Sequence, residues 1–182
     1  MTIKNKRASH ADRWLRKPLL SGKMKHWLKD SQSLTMRLQQ RYEKFQVQPL
    51  CVTYAKAYVD ECAILDIPLR TCVLKRDVFL RGNGQTVVFA HSVLPKKILR
   101  GRWLGLKSLG TKPLGAALFA NPRVWRTELR YKKLSRQHLL TKSLRQYMKD
   151  APNLLWARRS VFRYHGAEMM VTEVFLPTIM SS

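Results

Sequence analysis

Acidic residues are scarce in this 182-residue chain: eleven aspartates and glutamates stand against 35 lysines and arginines. The formal net charge of +24 favours anionic partners and leaves open whether the anion is a small molecule, a nucleic acid or a membrane surface. The hydrophobic content of 45% argues against disorder and is typical of a globular protein. The length indicates one domain over residues 1–182.

Cysteine, histidine and long apolar runs are also sparse. The three cysteines are odd in number and lack CxxC spacing, and the basic N-terminus is not followed by the apolar region of a secretory signal. We therefore expect a protein of the reducing cytoplasm. No apolar run approaches the roughly 18 residues that a membrane-spanning helix needs. No two of the five histidines stand three or four residues apart, so no metal site is expected.

The N-terminal half predicts helices followed by strands. The first thirty residues predict short helical pieces. After Ser33, a typical capping residue, apolar residues recur at helical spacing in LTMRLQQRYEKF, which predicts a helix over residues 34–45. Residues 50–59 are rich in β-branched and aromatic types and predict a strand, and residues 71–95 predict a hairpin whose turn lies in RGNGQ.

The C-terminal half predicts further helices and a second hairpin. Pro113 marks the start of a helix, because proline at the first helical position loses no needed hydrogen bond. The basic segment 123–149 has periodic apolar residues and predicts a helix. Residues 158–177 predict two strands around a turn at residues 165–167.

Two charged residues stand among apolar ones in the predicted strands. Alternation places Glu173 and Arg76 each on a strand face that is otherwise apolar, whereas the opposite face of the Arg76 strand carries Lys75 and Asp77. The face of Arg76 is therefore predicted to be the inward one, where Arg76 and Glu173 share a cavity. One interpretation is an ion pair between them that serves only the architecture. The other is an anion pocket, in which Arg76 binds a carboxylate and Glu173 holds a proton.

The starts of two predicted helices offer further donors for an anion. The backbone N–H groups of Leu34, after the Ser33 cap, and of Leu114, after Pro113, have no partner within their helices. Each start by itself is an ordinary helix terminus. The two gain functional meaning only if they converge with Arg76.

Four blocks of the sequence resemble the bacterial chorismate lyases, which convert chorismate to 4-hydroxybenzoate and pyruvate for ubiquinone synthesis. The blocks occur in the family's order and span most of the chain. They are WLKDSQSLTMRL (27–38), LKRDVFLRGNGQTVVFAHSVLP (74–95), SLGTKPLGAALF (108–119) and LLWARRSVFRYHGAEMMVTEVFLP (154–177). The last block is the most specific, because LW, RRS, TE and FLP stand in it at fixed spacing.

The resemblance implies a single α+β domain in which an antiparallel sheet, helices and flap-like segments enclose a pocket. It implies that Arg76 and the backbone amides of Leu34 and Leu114 bind the ring carboxylate of chorismate. Glu173 then meets the opposite end of the ring, where, in protonated form, it assists the departure of enolpyruvate, so that Glu173 and Arg76 are the expected catalytic residues. No cofactor is implied. His91 stands where the family is expected to have arginine, so no role in anion binding is transferred to it.

The resemblance also shapes the expected partners. Chorismate is the substrate, and 4-hydroxybenzoate retains the groups that the pocket recognises, so tight product binding is expected. We expect a monomer whose positive charge draws in a dianionic substrate or holds the protein loosely near acidic membrane surfaces. The stretch over residues 130–153 is longer than its family counterpart and is predicted to be a surface insertion.

Two other classes of function compete with the lyase. A nucleic-acid binder fits the net charge and the basic run from Arg123 to Lys149, in which Trp125, Tyr131 and Tyr147 are interleaved, but no known nucleic-acid-binding motif appears. A ligand sensor fits because effector domains of certain transcription regulators share the fold. Such regulators carry a separate DNA-binding domain, whereas fewer than fifty residues precede the first predicted strand here.

Overall fold

The chain folds around one antiparallel sheet of seven strands, in the order β1-β2-β3-β7-β6-β4, with β5 also paired to β6. The computed structural model describes residues 13–96, 111–112 and 114–181. Its helices are α1 (Lys23–Lys29), α2 (Leu34–Arg41), α3 (Val59–Ile64), α4 (Leu114–Phe119) and α5 (Leu139–Tyr147), followed by a short 3-10 helix (Pro177–Met180). Its strands are β1 (Phe45–Lys56), β2 (Cys72–Gly82), β3 (Gln85–Pro95), β4 (Trp125–Arg126), β5 (Arg130–Ser135), β6 (Leu154–Tyr164) and β7 (Ala167–Phe175). The predicted α+β class is confirmed.

Both predicted hairpins are present. Strands β2 and β3 are joined by Asn83 and Gly84, and strands β6 and β7 by His165 and Gly166. All four turn residues have positive φ, between 48° and 80°. Two consecutive residues of positive φ match the right-handed twist of the flanking strands, which is why asparagine and glycine are favoured there.

The predicted helix over residues 34–45 ends early, at Arg41. Tyr42 adopts an extended backbone, and its ring packs so closely on Gly82 that a Cβ atom there would lie 2.3 Å from the ring. Because Tyr42 is fixed on the β2–β3 turn, the chain leaves the helix and begins strand β1 at Phe45. Tyr42, whose spacing predicted a longer helix, is buried by packing on the sheet and not by continuing the helix.

The prediction of a helix over residues 123–149 is wrong. This segment forms β4, β5 and α5, and only α5 is helical. All six residues of β5 pair with the first six residues of β6, and Leu134 of β5 is fully buried. The apolar residues of strand β5, followed by those of the amphipathic helix α5, together have the spacing that is typical of one long helix.

The segment over residues 130–153 is part of the core, in contrast to the predicted surface insertion. Leu134, Leu140 and Leu144 lie in one apolar cluster with Phe79 and Phe89 of the central strands. Leucines with no exposed surface contribute to stability in proportion to the apolar area that they bury. The segment therefore covers one face of the sheet.

Both faces of the sheet are buried, which differs from the single inward face predicted for β2. On one face Val78 and Leu80 share a cluster with Leu38 of α2. On the other face, Lys75 and Asp77 are also buried, with 8% and 7% of their surface exposed. Helices α3 and α5 are the reason, since residues from both contact these charged side chains. In the part of the chain that the structure describes, no helix is long and apolar enough to cross a membrane.

Candidate active site

A cavity lies on the sheet face that carries Arg76, and its empty space together with the adjoining solvent is about 520 Å³. It is lined by the first residues of α2, by residues of α4 and by side chains from β1 to β4, β6 and β7. All four residues that the sequence predicted as site residues line it, namely Leu34, Arg76, Leu114 and Glu173. Apolar side chains form most of the wall, with a few polar groups among them, which is the usual composition of a small-molecule site.

Arg76 is the most buried charged residue in the wall of the cavity, with 4% of its surface exposed. Its Nη2 donates a hydrogen bond to the backbone oxygen of Lys112, 3.3 Å away, just before α4. Burial lowers the pKa of Arg76 from its ordinary value, but the guanidinium remains charged at neutral pH. A cation in this apolar setting is stabilised by an anion in the cavity.

Glu173 forms its ion pair with Arg158, and the predicted Arg76–Glu173 pair is replaced by this one. Arg158 and Glu173 lie directly opposite each other on β6 and β7, and Arg158 Nε donates to Glu173 Oε2. The Arg158 side chain has no exposed surface, while that of Glu173 keeps 14%. Glu173 is therefore anchored from behind, with part of its carboxylate open to the cavity.

Arg158 also anchors the segment that leads into α2. Its Nη1 donates to the backbone oxygens of Trp27, Leu28 and Asp30, at 3.1, 3.3 and 2.5 Å. A single buried guanidinium thus fixes both the carboxylate of Glu173 and the end of α1. Sequence reasoning missed Arg158, although it belongs to the RRS block and alternation places it on the same strand face as Ser160 and Phe162.

The first residues of α2 and α4 lie against each other at the cavity. Ser33 caps α2 by accepting a hydrogen bond from the backbone N–H of Met36. A Cβ atom added to Gly115 would lie 2.9 Å from Thr35 Oγ1 and 3.3 Å from Ser33 Oγ, so glycine permits the close approach of the two helices. The predicted convergence of Leu34 and Leu114 with Arg76 on one cavity is therefore present.

Arg126 is a second arginine of the cavity wall that sequence reasoning missed. Its Nε donates to Ser160 Oγ at 2.7 Å, and its Nη1 donates to the backbone oxygen of Ser31 at 3.0 Å. The guanidinium carbon lies 5.5 and 5.2 Å from the ring centroids of Phe119 and Phe162. Arg126 was missed because residues 123–149 were predicted to form a helix, whereas Arg126 lies in the short strand β4.

His91 lies away from the cavity, on the opposite face of the sheet. Its imidazole is buried between the carboxylates of Asp77, 2.5 Å from Nδ1, and Glu61, 2.9 Å from Nε2. Lys75 Nζ lies 3.6 Å from Glu61 and 3.4 Å from the ring centroid of Tyr58. Burial opposes the charge on His91, but the two carboxylates outweigh it and raise the pKa of His91 to about 9. His91 is therefore part of a buried charge network that packs α3 on the sheet.

The charge on His91 predicts a loss of stability at alkaline pH. The imidazole has a pKa of about 9 in the folded protein and about 6.5 in the unfolded chain, so its stabilisation is complete below pH 6.5 and is lost as the pH rises through 9. We expect the free energy of unfolding to fall by roughly 2–3 kcal/mol over this window. The lowered pKa of Glu61 acts only in acid, below this range.

Urea unfolding at pH 6.5 and pH 9 measures this effect, with His91→Gln as the comparison. The variant lacks the titrating imidazole, so its free energy of unfolding should change much less between the two pH values. An equal fall in both proteins would contradict the assignment of the charge to His91.

Comparisons with known proteins identify the family of this chain. The family model for chorismate lyase matches residues 11–182. The chain belongs to the chorismate lyase family. Among curated members of that family, a probable chorismate pyruvate-lyase of Methylobacillus flagellatus is 44% identical over 93% of this chain and 95% of its own length. Another from Aromatoleum aromaticum is 39% identical over 94% of this chain and 95% of its own length.

Solved structures of other proteins share the fold of this chorismate lyase family member. A GntR-family transcriptional regulator from Bacillus cereus aligns with a TM-score of 0.55 at 13% identity, over 74% of this chain and 92% of that one. The effector domain of PhnF from Mycobacterium smegmatis aligns with a TM-score of 0.54 at 13% identity, over 81% and 90% of the two chains. At such low identity the likeness concerns the fold alone. The family match therefore favours the lyase over the sensor interpretation.

Proposed function

We propose that the cavity is the active site at which this member of the chorismate lyase family converts chorismate to 4-hydroxybenzoate and pyruvate. The observation that carries the proposal is the convergence of Arg76, Glu173 and the starts of α2 and α4 on one cavity. The substrate is a dianion with an acidic group at one end of its ring and a hydroxyl at the other, and the cavity offers a cation and a carboxylate.

Arg76 and the backbone amides of Leu34 and Leu114 bind the ring carboxylate. The Arg76 guanidinium can form two parallel hydrogen bonds to a carboxylate, and the first N–H groups of α2 have no acceptor within the helix. The desolvated setting strengthens each of these interactions relative to water. This end of the cavity therefore fixes the position of the substrate ring.

Glu173 orients the other end of the ring. Because Arg158 donates directly to its carboxylate, Glu173 is better placed to accept a hydrogen bond from the 4-hydroxyl than to donate a proton, which revises the acid role expected from the sequence. The elimination removes a ring proton and breaks the ether bond to the enolpyruvyl group. The electron pair of the C–H bond completes the aromatic ring, and the released enolpyruvate takes up a proton to become pyruvate. Since aromatisation drives the reaction, positioning supplies much of the acceleration.

Replacement of Glu173 by glutamine tests its role. We expect kcat to fall by about 10- to 100-fold, because the amide loses the charge-assisted hydrogen bond to the hydroxyl and leaves Arg158 without its counter-ion. Steady-state kinetics with chorismate measure the fall. Glu168→Gln on the same strand is the matched control, because Glu168 pairs with Arg163 near the surface. Full turnover by the Glu173 variant would show that the carboxylate has no part in the reaction.

The physiological setting follows from charge and product chemistry. We infer a cytoplasmic monomer whose net charge of +24 attracts chorismate and holds the protein loosely near anionic membrane surfaces. The product 4-hydroxybenzoate keeps both the carboxylate and the hydroxyl, so it binds tightly and its release limits turnover. A product affinity far weaker than that for the substrate would contradict this inference.

A further inference from the structure

The guanidinium of Arg126 is only partly satisfied by the protein. Nε and Nη1 bind Ser160 and the backbone of Ser31, whereas Nη2 makes no hydrogen bond to any residue in the described ranges 13–96, 111–112 and 114–181. Within the same ranges, no carboxylate lies within 4 Å of the Arg126 guanidinium. A half-buried cation that lines a cavity with one nitrogen unbound is suited to an anionic ligand.

Among the described residues that line the cavity, cations outnumber carboxylates. Arg76, Arg126 and Glu173 line it, and Arg158 stands directly behind Glu173. Glu173 pairs with Arg158, so it is not an ion-pair partner of Arg126. A second anionic group on the ligand, beside the ring carboxylate that Arg76 binds, places a counter-ion next to Arg126 in a wall of low polarity.

We propose that Arg126 binds the second carboxylate of the substrate, the one on the enolpyruvyl side chain, while Arg76 binds the ring carboxylate. This inference rests on the proposed function of the cavity and adds a specificity-determining residue to it. The rings of Phe119 and Phe162 lie under the Arg126 guanidinium and hold it in place for an in-plane contact with a carboxylate. After the ether bond breaks, the same contact holds the pyruvate that leaves.

A purely structural role for Arg126 makes a different prediction. Through Ser31, Arg126 also supports the segment before α2, which carries the Leu34 amide. If Arg126 acted only by placing α2, its loss would weaken every ligand that uses the ring-carboxylate end. If it binds the second carboxylate, its loss weakens only ligands that carry that group.

Two unreactive ligands separate these roles without turnover. The first is 4-hydroxybenzoate, with one carboxylate, and the second is 3-(carboxymethoxy)-4-hydroxybenzoate, which adds a second carboxylate through an ether at the ring position of the substrate's side chain. Calorimetric titration gives the Kd of each for the wild type, Arg126→Gln, Arg126→Lys and the matched control Arg123→Gln. Arg123 is exposed and lies on the same approach to β4, so its variant removes one positive charge outside the cavity.

We expect Arg126→Gln to weaken the dicarboxylate by about 10- to 100-fold and 4-hydroxybenzoate by less than about threefold. Arg126→Lys should give a smaller loss for the dicarboxylate, and it serves as the main variant should the glutamine variant unfold. Equal weakening of both ligands, or of neither, would overturn the proposal. If the wild type binds both ligands but does not turn over chorismate, the proposed function fails while the role of Arg126 is still decided by the ratio of the two affinities.

Discussion

Arg76→Gln is expected to lower kcat/KM for chorismate by about 100-fold or more, with a similar loss of affinity for 4-hydroxybenzoate. The reason is that Arg76 is the buried cation at the end of the cavity formed by the starts of α2 and α4. Removing it leaves the ring carboxylate desolvated and bound by backbone amides alone. Both ligands carry this carboxylate, so both should be affected.

The matched control for this prediction is Arg81→Gln on the same strand. The Arg81 side chain binds Gln48 and the backbone of Gly84 outside the cavity, and its variant loses the same net charge. We expect its kinetics to stay within about twofold of the wild type, because the charge that it loses is solvent-screened. A comparable fall in both variants would mean that long-range attraction, and not a contact in the cavity, explains the effect of Arg76.

Arg158→Met should produce the largest loss of stability, about 3–5 kcal/mol. The substitution leaves the carboxylate of Glu173 unpaired in the sheet and removes the donor to the backbone oxygens of Trp27, Leu28 and Asp30. Urea unfolding measures the loss. Arg163→Met on the same strand is the comparison, since its pair with Glu168 is half exposed and should contribute about 1 kcal/mol or less.

A double variant shows whether the cost comes from the unpaired charge. Replacing Glu173 by leucine in the Arg158→Met background removes the uncompensated carboxylate, so we expect part of the lost stability to return. Stability losses that simply add would indicate that Arg158 acts through the backbone of residues 27–30 and not through Glu173.

Local patterns in the sequence were sufficient for the hairpins and for the position of Arg76. The RGNGQ turn and the alternation along β2 are properties of neighbouring residues, and the structure places them as predicted. Ser33 likewise predicts the start of α2 through its capping chemistry. The same reasoning placed Arg76 and Glu173 on one cavity, because both belong to strand faces with a clear apolar character.

The partner of Glu173 depended on information that lies between segments. Strands β3 and β7 are neighbours, and β6 follows on the other side, so Glu173 faces Arg158 across one strand pair. The order of strands is set by packing of the whole sheet and not by any local pattern. For this reason the sequence predicted Arg76, which stands among apolar residues on its strand face, as the partner of Glu173.

The burial of the second face of the sheet also could not be predicted from local sequence patterns. The polar residues of this face, Lys75, Asp77 and His91, resemble those of an exposed surface, but helices α3 and α5 cover them. Glu61 of α3 contacts Lys75 and His91, and Ser143 of α5 donates a hydrogen bond to Asp77. Helix α3 was missed because its capping residue is Tyr58, and the carboxylate that completes the cap, Glu61, gives little signal alone. Buried charges that satisfy one another are recognised only after the elements are assembled.

The most direct test of the account is to incubate the purified protein with chorismate and to measure 4-hydroxybenzoate and pyruvate together, beside Arg76→Gln and Arg81→Gln. Equal amounts of both products are expected from the wild type and the Arg81 variant, with formation at least about 100-fold slower from the Arg76 variant. Wild-type rates from the Arg76 variant, or chorismate left unchanged by the wild type, would contradict the assignment of this cavity as the lyase active site.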